Sequence, residues 1–486
     1  MEKISEGTTI ARNTSILVAT EVVTRILGIA LTVAIARKLG SANLGLLAFA
    51  LSFNELFSFL PRFGFKNLIT RDVAKEPNKT GSYFGNIFVI KIILSASTLF
   101  LIISVLHVMQ YAQEKILVVY IAAFVMLLDS YIEFLAAFFR AHQKVKYEAM
   151  VHLVRNFLMV STGLLILFLG YGLVPLISVR LLVYLFSLAL GLSFMFKKLS
   201  KPSFDIQPHY CIRLIRSSSS FVLMDILTKM NAQIGIVLLS IMRGDVITGW
   251  FSAALRLRGV FSFIPGGFVG AVLPAMSKFS QQNSHENLVK THERTVKYLL
   301  IIALPISMGI SILADRFILI LYGEEYIHSI IALRILIWSL VFSFLNQIFS
   351  TALISIGKEK KIVTIRAIGT IFYFCANIVS IPLFGHVGIS VVSVLSQMIT
   401  LAFLVYILSK DFCIAGISKI SIKPLLGTLV MGFFLLLLRE QNIVFLIPLS
   451  AVIYFFTLFS LKTFNSQEVS VLRHIFTREA TIFENK

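Results

Sequence analysis

The chain has 486 residues, of which 57% are hydrophobic and 14% are charged, and its formal net charge is +20. A soluble domain carries roughly 25% charged residues, so this composition excludes a water-soluble protein and predicts a multi-pass membrane protein. Three scattered cysteines (Cys211, Cys375 and Cys413) predict neither a disulfide framework nor a metal site, and no cofactor is expected. Residues 1–12 are polar and mixed in charge, so no cleaved signal peptide is expected.

Apolar segments of about 20 residues, the length that crosses a bilayer as a helix, occur fourteen times along the chain. We therefore predict an all-α polytopic membrane protein with about fourteen spans. In chain order the predicted spans are 13–36, 44–65, 84–106, 115–138, 149–169, 173–195, 218–241, 249–274, 297–319, 329–355, 362–383, 388–408, 422–438 and 443–462.

The charge distribution predicts the orientation of the chain. Loops that follow even-numbered spans contain 22 Lys and Arg, whereas loops that follow odd-numbered spans contain six. Basic residues are retained on the cytoplasmic side, so both termini are predicted to be cytoplasmic, in the cell (inner) membrane. Most of the net charge follows from this topology, and no nucleic-acid partner is expected.

The first part of the chain is repeated 204 positions later. Residues 21–25 (EVVTR) correspond to residues 225–229 (DILTK), and residues 57–61 (FSFLP) correspond to 261–265 (FSFIP). The same shift carries Gly40 onto Gly244 and Gly45 onto Gly249. Six crossings separate the copies, which predicts a parallel repeat. We predict two six-helix lobes, residues 1–200 and 201–412, then two helices in 413–463 and a cytoplasmic tail, 464–486.

Ionisable residues lie at mid-depth in the repeated spans. Arg25 is about 12 residues, roughly 18 Å, from the cytoplasmic end of span one, with Glu21 one turn away. Asp225 and Lys229 repeat this i,i+4 arrangement in span seven. Because a buried charge costs several kcal/mol, such residues face a cavity or a partner. We expect the cations to bind substrate; for the carboxylates, charge pairing and ion coupling both stay open.

Spans two and eight add further candidates. Asn54 and Arg62 in span two are candidate substrate-binding residues, and Glu55 is a candidate for charge pairing or ion coupling. In span eight, Arg256 and Arg258 lie about 200° apart on the helix, so one of them is expected to face a cavity. The sequence does not decide which.

Pro61 and Pro265 occupy equivalent positions of the repeat and predict kinks in spans two and eight. A gating hinge and a static bend are both compatible with them. The other intramembrane charges are expected to be mostly structural; they are Asp129, Glu133, Arg155, Arg180, Arg334 and Arg366.

Several motifs together resemble one family. They are residues 12–15 (RNTS), 36–40 (ARKLG), 249–254 (GWFSAA), 263–265 (FIP), 321–323 (LYG) and 381–385 (IPLFG). In this order they are similar to the O-antigen and teichoic-acid type of polysaccharide repeat-unit flippase, within the multidrug/oligosaccharidyl-lipid/polysaccharide (MOP) exporter superfamily.

This resemblance implies two lobes around a central cavity lined by spans one, two, seven and eight. It also implies a substrate, a polyprenyl-diphosphate-linked oligosaccharide, that is moved by alternating access without bond making or breaking, so the chain is not expected to be an enzyme. Membrane lipids and an exchanged ion, H⁺ or Na⁺, are further expected partners.

Three other functions stay open at this stage. A cation-coupled multidrug antiporter would favour an acidic cavity, whereas the spans in question carry Arg25, Lys229, Arg256 and Arg258. A peptidoglycan-precursor flippase fits a cationic cavity equally well. A membrane glycosyltransferase or polymerase would be expected to carry a large outer loop, but the odd-numbered loops are short.

Overall fold

The structure is a computed structural model that describes residues 2–199, 206–410 and 416–464. For residues 2–19, 21, 22, 220, 221 and 416–419 it describes the backbone alone. The predicted lobe boundaries at 200 and 412, Cys413 and all of the predicted tail after Phe464 lie outside the described residues.

The described chain is helical, with two 3₁₀ turns at Pro77–Lys79 and Glu324–Tyr326. This confirms the predicted all-α fold. In chain order the helices are α1 (Glu2–Phe57), α2 (Phe59–Arg62), α3 (Phe65–Lys75), α4 (Thr80–Met109), α5 (Gln113–Ala141), α6 (Val145–Phe168), α7 (Leu173–Lys198), α8 (Pro208–Gly259), α9 (Ile264–Gln281), α10 (His285–Ile312), α11 (Ala314–Tyr322), α12 (Ser329–Leu336), α13 (Ser339–Ser355), α14 (Glu359–Leu408), α15 (Gly416–Leu437) and α16 (Ile443–Ser460).

Three helices are long enough to contain two crossings each. Helices α1, α8 and α14 have 56, 52 and 50 residues, about 75 Å or more at 1.5 Å per residue, more than twice the hydrocarbon thickness. Each is broken at one glycine: Gly40, Gly244 or Gly385. Among the described residues, ten helices, or eleven with one bent pair, are long and apolar enough to span a membrane. The count of fourteen spans stays a prediction.

The glycines at two of these breaks have the same backbone conformation. Gly40 has φ 80° and ψ 178°, and Gly244, its equivalent in the repeat, has φ 82° and ψ 177°. This region of φ/ψ space is essentially restricted to glycine. The repeat in sequence therefore corresponds to a repeat in structure, and each copy needs its glycine to turn between two spans.

One turn beyond each break, α1 and α8 contact each other through a second pair of equivalent glycines. A Cβ on Gly45 would lie 1.8 Å from the carbonyl oxygen of Asp245, and one on Gly249 would lie 2.0 Å from that of Ser41. Ser41 and Asp245 are themselves 204 positions apart. The contact is thus reciprocal, as expected around a pseudo-two-fold axis, and it closes one end of the helix pair.

The predicted kinks lie just before the prolines. Helix α1 ends at Phe57, and the segments Val23–Phe57 and Phe59–Lys75 are bent by 46° relative to each other. Pro61 is the third residue of α2 and Pro265 the second of α9, in first turns where proline is tolerated. The buried Lys91 of α4 donates to the carbonyl of Pro61 at 2.5 Å, which stabilises the bend.

The described chain forms two compact units. The first contains Met1–Phe263, Ile318–Ala332 and Val363–Ser396, and one of its cores joins α3, α4 and α5 through Phe65, Phe84, Phe134 and Phe138. The second contains the described residues of Ile264–Phe317, Leu333–Ile362 and Gln397–Lys486, with a core of α10, α15 and α16. These units follow contacts rather than chain order, and the predicted lobe boundaries stay predictions.

The glycine at the second break gives a direct test of backbone strain. No atom lies within 4 Å of a Cβ built on Gly244, so Gly244→Ala introduces an unfavourable φ without a steric clash. We expect it to destabilise the protein by about 1–3 kcal/mol, measured as a lower Tm in detergent. Gly309→Ala in α10 is the control, because it is helical and equally unobstructed and should not lower the Tm. Equal Tm values for both variants would contradict the assignment.

Candidate functional site

A cavity of about 570 Å³ lies within the first unit, between α1, α5, α6, α7 and α8. Its charged lining residues are Arg25, Glu55, Asp129, Arg180 and Arg256. Its neutral polar lining includes Thr24, Thr32, Ser52, Asn156, Gln233 and Ser252. The cavity is therefore polar and charged although it lies among membrane-spanning helices.

The charged lining residues lie at different distances from the end closed by Gly45 and Gly249. Arg25 precedes the Gly40 break by 15 residues, about 22 Å along the helix, and Glu55 follows that break by the same distance. Arg256 follows the Gly244 break by 12 residues, about 18 Å. Arg180 is seven residues, about 10 Å, from Leu173, where α7 begins. Among these four residues, Arg180 thus has the shortest separation along its own helix from the start of that helix or from its glycine break.

Arg25 links the two copies of the repeat. Its Nη1 donates to the carbonyl oxygen of Gly259 at 2.6 Å and to Oγ of Ser262 at 2.9 Å. Its guanidinium group also lies 5.9 Å from the ring centre of Phe263. These contacts hold Arg25 at the cavity wall where α8 ends. The side chain of Glu21, its predicted i,i+4 partner, lies outside the described residues.

The ion-pair partner of Lys229 differs from the one that the sequence predicted. The predicted i,i+4 partner of Lys229 was Asp225, but Lys229 forms its ion pair with Glu55 of α1. Asp225 is half-buried and forms no ion pair with any described side chain. Position 55 is equivalent to position 259, so the cation of each copy reaches the equivalent position of the other copy. One of them meets a carboxylate there, and the other meets a backbone carbonyl.

Glu55 belongs to a larger ion-pair network. Arg62 donates to Glu55 Oε1 at 2.7 Å and to Asp129 Oδ2 at 2.8 Å. Asp129 also accepts from Nη1 of Arg155 at 2.8 Å. Both carboxylates in the cavity wall are thus each held by two cations. Arg62 does not line the cavity itself; the structure places it behind the wall, where it joins the two carboxylates.

Of the remaining candidate substrate-binding residues, only Arg256 lines the cavity. Arg256 lines the cavity and its side chain is exposed there, whereas Arg258, on another face of α8, does not line it. Asn54 is fully buried, and its Nδ2 donates to the carbonyl oxygens of Ala50 at 2.7 Å and Val119 at 3.0 Å. The structure thus places Asn54 in the contact between α1 and α5 rather than in the cavity wall.

The sequence did not identify two charged residues near the site as candidate site residues. Arg180, expected to be structural, lines the cavity, and its Nε atom is buried without a hydrogen-bond partner. Lys91 was overlooked, although a lysine within a predicted span is itself a signal. Nothing in the described part of the chain brings three or more His, Cys, Asp or Glu side chains together as a metal site.

Comparison with known proteins shows the family. Residues 10–280, more than half of the chain, match the family described as polysaccharide biosynthesis protein, and residues 221–378 match the MatE family. The chain therefore belongs to the polysaccharide biosynthesis protein family. The second match covers the start of the second copy, in keeping with two related halves.

Individual relatives agree with this assignment. A probable low-salt glycan biosynthesis flippase of Haloferax volcanii, Agl15, is 20% identical over 362 residues, which cover 74% of this chain and 75% of the relative.

Among solved structures, the lipid II flippase MurJ in an inward closed conformation matches with a TM-score of 0.71 and 18% identity, over 95% of this chain and 99% of MurJ. An inward-facing MATE multidrug transporter of the MOP superfamily matches with a TM-score of 0.64 and 16% identity, over 80% of this chain and 95% of the transporter. The fold is thus that of the MOP superfamily, and the predicted resemblance is confirmed.

The ion-pair network predicts a stability effect. Asp129→Asn leaves Arg62 and Arg155 without their shared carboxylate in a largely buried environment. Breaking such a buried pair costs about 3 kcal/mol, so we expect a clearly lower Tm in detergent. Glu76→Gln, which removes the carboxylate of an exposed ion pair with Lys79, is the control and should leave the Tm unchanged. Similar Tm values for Asp129→Asn and the unmodified chain would show that the network contributes little.

Proposed function

We propose that this protein moves a polyprenyl-diphosphate-linked oligosaccharide from the cytoplasmic to the outer leaflet by alternating access. The observation that carries the proposal is the charge of the cavity wall. Three arginines line it, while its two carboxylates are each already held by two cations. A wall of this kind attracts an anionic headgroup and disfavours the cationic substrates of a drug antiporter.

The diphosphate is the group that Arg25 and Arg256 are suited to hold. Arginine forms charge-assisted, often bidentate hydrogen bonds with phosphate oxygens, and these strengthen where water is partly excluded. Arg25 and Arg256 lie at about 22 Å and 18 Å from their glycine breaks, so they approach the same level of the cavity. Lys229, held by Glu55 beside the wall, adds a third positive charge near this level.

The neutral polar lining suits the sugars. Thr24, Asn156 and Gln233 offer hydroxyl and amide groups that exchange hydrogen bonds with sugar hydroxyls in place of water. The polyprenyl tail needs no polar cavity, and it stays in the hydrocarbon, against α15 and α16. This leaves the protein to shield only the headgroup during the crossing.

With the predicted orientation, the contact between Gly45 and Gly249 lies at the outer end of the cavity, and we propose that the headgroup enters from the cytoplasmic side. To release the headgroup outside, α1 and α8 must separate at that contact, and the cavity must close on its cytoplasmic side. An exchanged H⁺ or Na⁺ would need a carboxylate, and Glu21 and Asp225 are the candidates because Glu55 is held by Arg62 and Lys229. The bends before Pro61 and Pro265 are candidate hinges.

The first test is transport in cells. We expect deletion of the gene to leave lipid-linked oligosaccharides on the cytoplasmic face, measured by their protection from an enzyme added outside. The unmodified chain should restore the outer-face pool, whereas Arg25→Ala and Arg256→Ala should each restore less than a tenth of it. Arg366→Ala removes a half-buried arginine of α14 that does not line the cavity, and it should restore the pool fully.

Other outcomes of this experiment identify the competing functions. Unchanged lipid-linked sugars together with new sensitivity to cationic drugs would overturn the proposal in favour of an antiporter. Accumulation of the peptidoglycan precursor alone, with other lipid-linked sugars unchanged, would assign the substrate to that pathway instead.

Alternating access is tested at the glycine contact. Gly249→Ala cannot keep the closed arrangement, because its Cβ would meet the backbone of Ser41. In a chain without native cysteines, we expect it to increase labelling of Ser252→Cys in the cavity by a membrane-impermeant thiol reagent added outside. Gly309→Ala is the control and should leave labelling low. Low labelling of a folded Gly249→Ala protein would show that this contact does not close the outer side.

A further inference from the structure

Arg180 and Arg256 form a pair of like charges in one cavity. Arg180 comes from α7 and Arg256 from α8, and both side chains line the same cavity. Neither forms an ion pair with any carboxylate of the described residues. This differs from Arg62, Arg155 and Lys229, each of which is paired with Glu55 or Asp129.

The environment of Arg180 leaves part of its hydrogen-bonding capacity unused. Its Nε atom is buried without a partner, and its guanidinium group lies 5.6 Å from the ring centre of Tyr184. Because Nε is enclosed by protein, a ligand in the cavity would bind the terminal Nη atoms of Arg180, which have no hydrogen-bond partner among the described residues. Two arginines that line one cavity without a carboxylate partner are suited to a negatively charged ligand placed between them.

The position of the pair separates Arg180 from the level at which the diphosphate is proposed to bind. The Gly40 break and the start of α7 lie at the same end, because Lys38 lies 5.6 Å from the ring centre of Phe168. From that end Arg180 is about 10 Å along α7, whereas Arg25 is about 22 Å along α1. The diphosphate is attached to a lipid tail that stays in the cytoplasmic leaflet. The sugars have no such attachment, so they are the part of the headgroup that reaches the closed end.

We propose that Arg180, together with Arg256, forms a second anion subsite that recognises a carboxylate on a sugar of the transported oligosaccharide. This inference rests on the proposed function and narrows its substrate class to lipid-linked oligosaccharides that contain an acidic sugar. A planar carboxylate matches the paired N–H donors of a guanidinium group, and Arg180 supplies this contact at the sugar end of the cavity. Arg256, between the two levels, contributes charge to both.

The test compares two probes on the purified, full-length protein. One is a short-chain prenyl diphosphate joined to N-acetylglucosamine, and the other is the same diphosphate joined to glucuronic acid. We expect the acidic probe to bind about tenfold more tightly, the effect of one charged hydrogen-bonded contact. Arg180→Gln should abolish this preference and leave binding of the neutral probe within about twofold, and Arg180→Lys should keep part of the preference.

Controls exclude a general structural effect. Arg366→Gln removes an arginine outside the cavity lining and should leave the binding of both probes unchanged, and the Tm of each variant reports its folding. If Arg180→Gln weakens both probes equally, Arg180 belongs to the diphosphate site and the inference is overturned.

The remaining outcomes separate this inference from the proposed function. Equal affinity of the unmodified chain for both probes overturns the acidic-sugar subsite and leaves the flippase proposal standing. Failure of both probes to bind a folded protein overturns both. Free glucuronate that competes as well as the acidic probe would show that the subsite takes any small carboxylate, and this too would overturn recognition of the lipid-linked sugar.

Discussion

The reciprocal contact of α1 and α8 is the constraint on which the rest of the first unit depends. At Gly45 and Gly249 the two backbones approach so closely that a single methyl group would meet a carbonyl oxygen. In a membrane, where apolar side chains gain little by leaving lipid, such close backbone contact is a main source of helix association. The contact fixes where the two copies of the repeat meet, and the cavity is the space that opens below it.

The symmetry around this contact is kept in the backbone and broken in the side chains. The breaks at Gly40 and Gly244 have nearly identical φ and ψ angles. Lys229 and Arg25 then reach equivalent positions of the opposite copy, but Glu55 occupies one and Gly259 the other. Because Gly259 brings no carboxylate, the two halves of the cavity differ in charge although they share a fold. This difference gives the cavity a direction along which an asymmetric substrate can be oriented.

Much of the fold follows from the sequence, because hydrophobic length and a constant shift of 204 residues are linear properties of the chain. The direction in which a single side chain points is not a linear property of the chain, and the sequence alone does not determine it. Arg256 and Arg258 have the same chemistry, and only the rotation of α8 against its neighbours exposes Arg256 to the cavity. The same reason applies to Arg180 and Asn54. Arg180 was expected to be structural but lines the cavity from α7, whereas Asn54 was expected to bind substrate but is buried against α5. Polar and apolar residues are spread almost evenly around α8, so no amphipathic pattern in its sequence marks the inward side.

Most of the few basic residues in the predicted outer loops have a local partner in the structure. Arg37 donates to the carbonyls of Ile320 and Leu321 at the end of α11, and Arg243 to those of Ile381 and Pro382 before the break in α14. Arg316 does the same for the residues that follow α15. The last carbonyls of a helix lack partners and carry a partial negative charge, so an arginine there stabilises the helix end. Lys115, in turn, is paired with Asp245 at 2.8 Å. Four of the six basic residues in the predicted outer loops thus have a local partner, either carbonyl oxygens near a helix end or break or the carboxylate of Asp245, that compensates their positive charge.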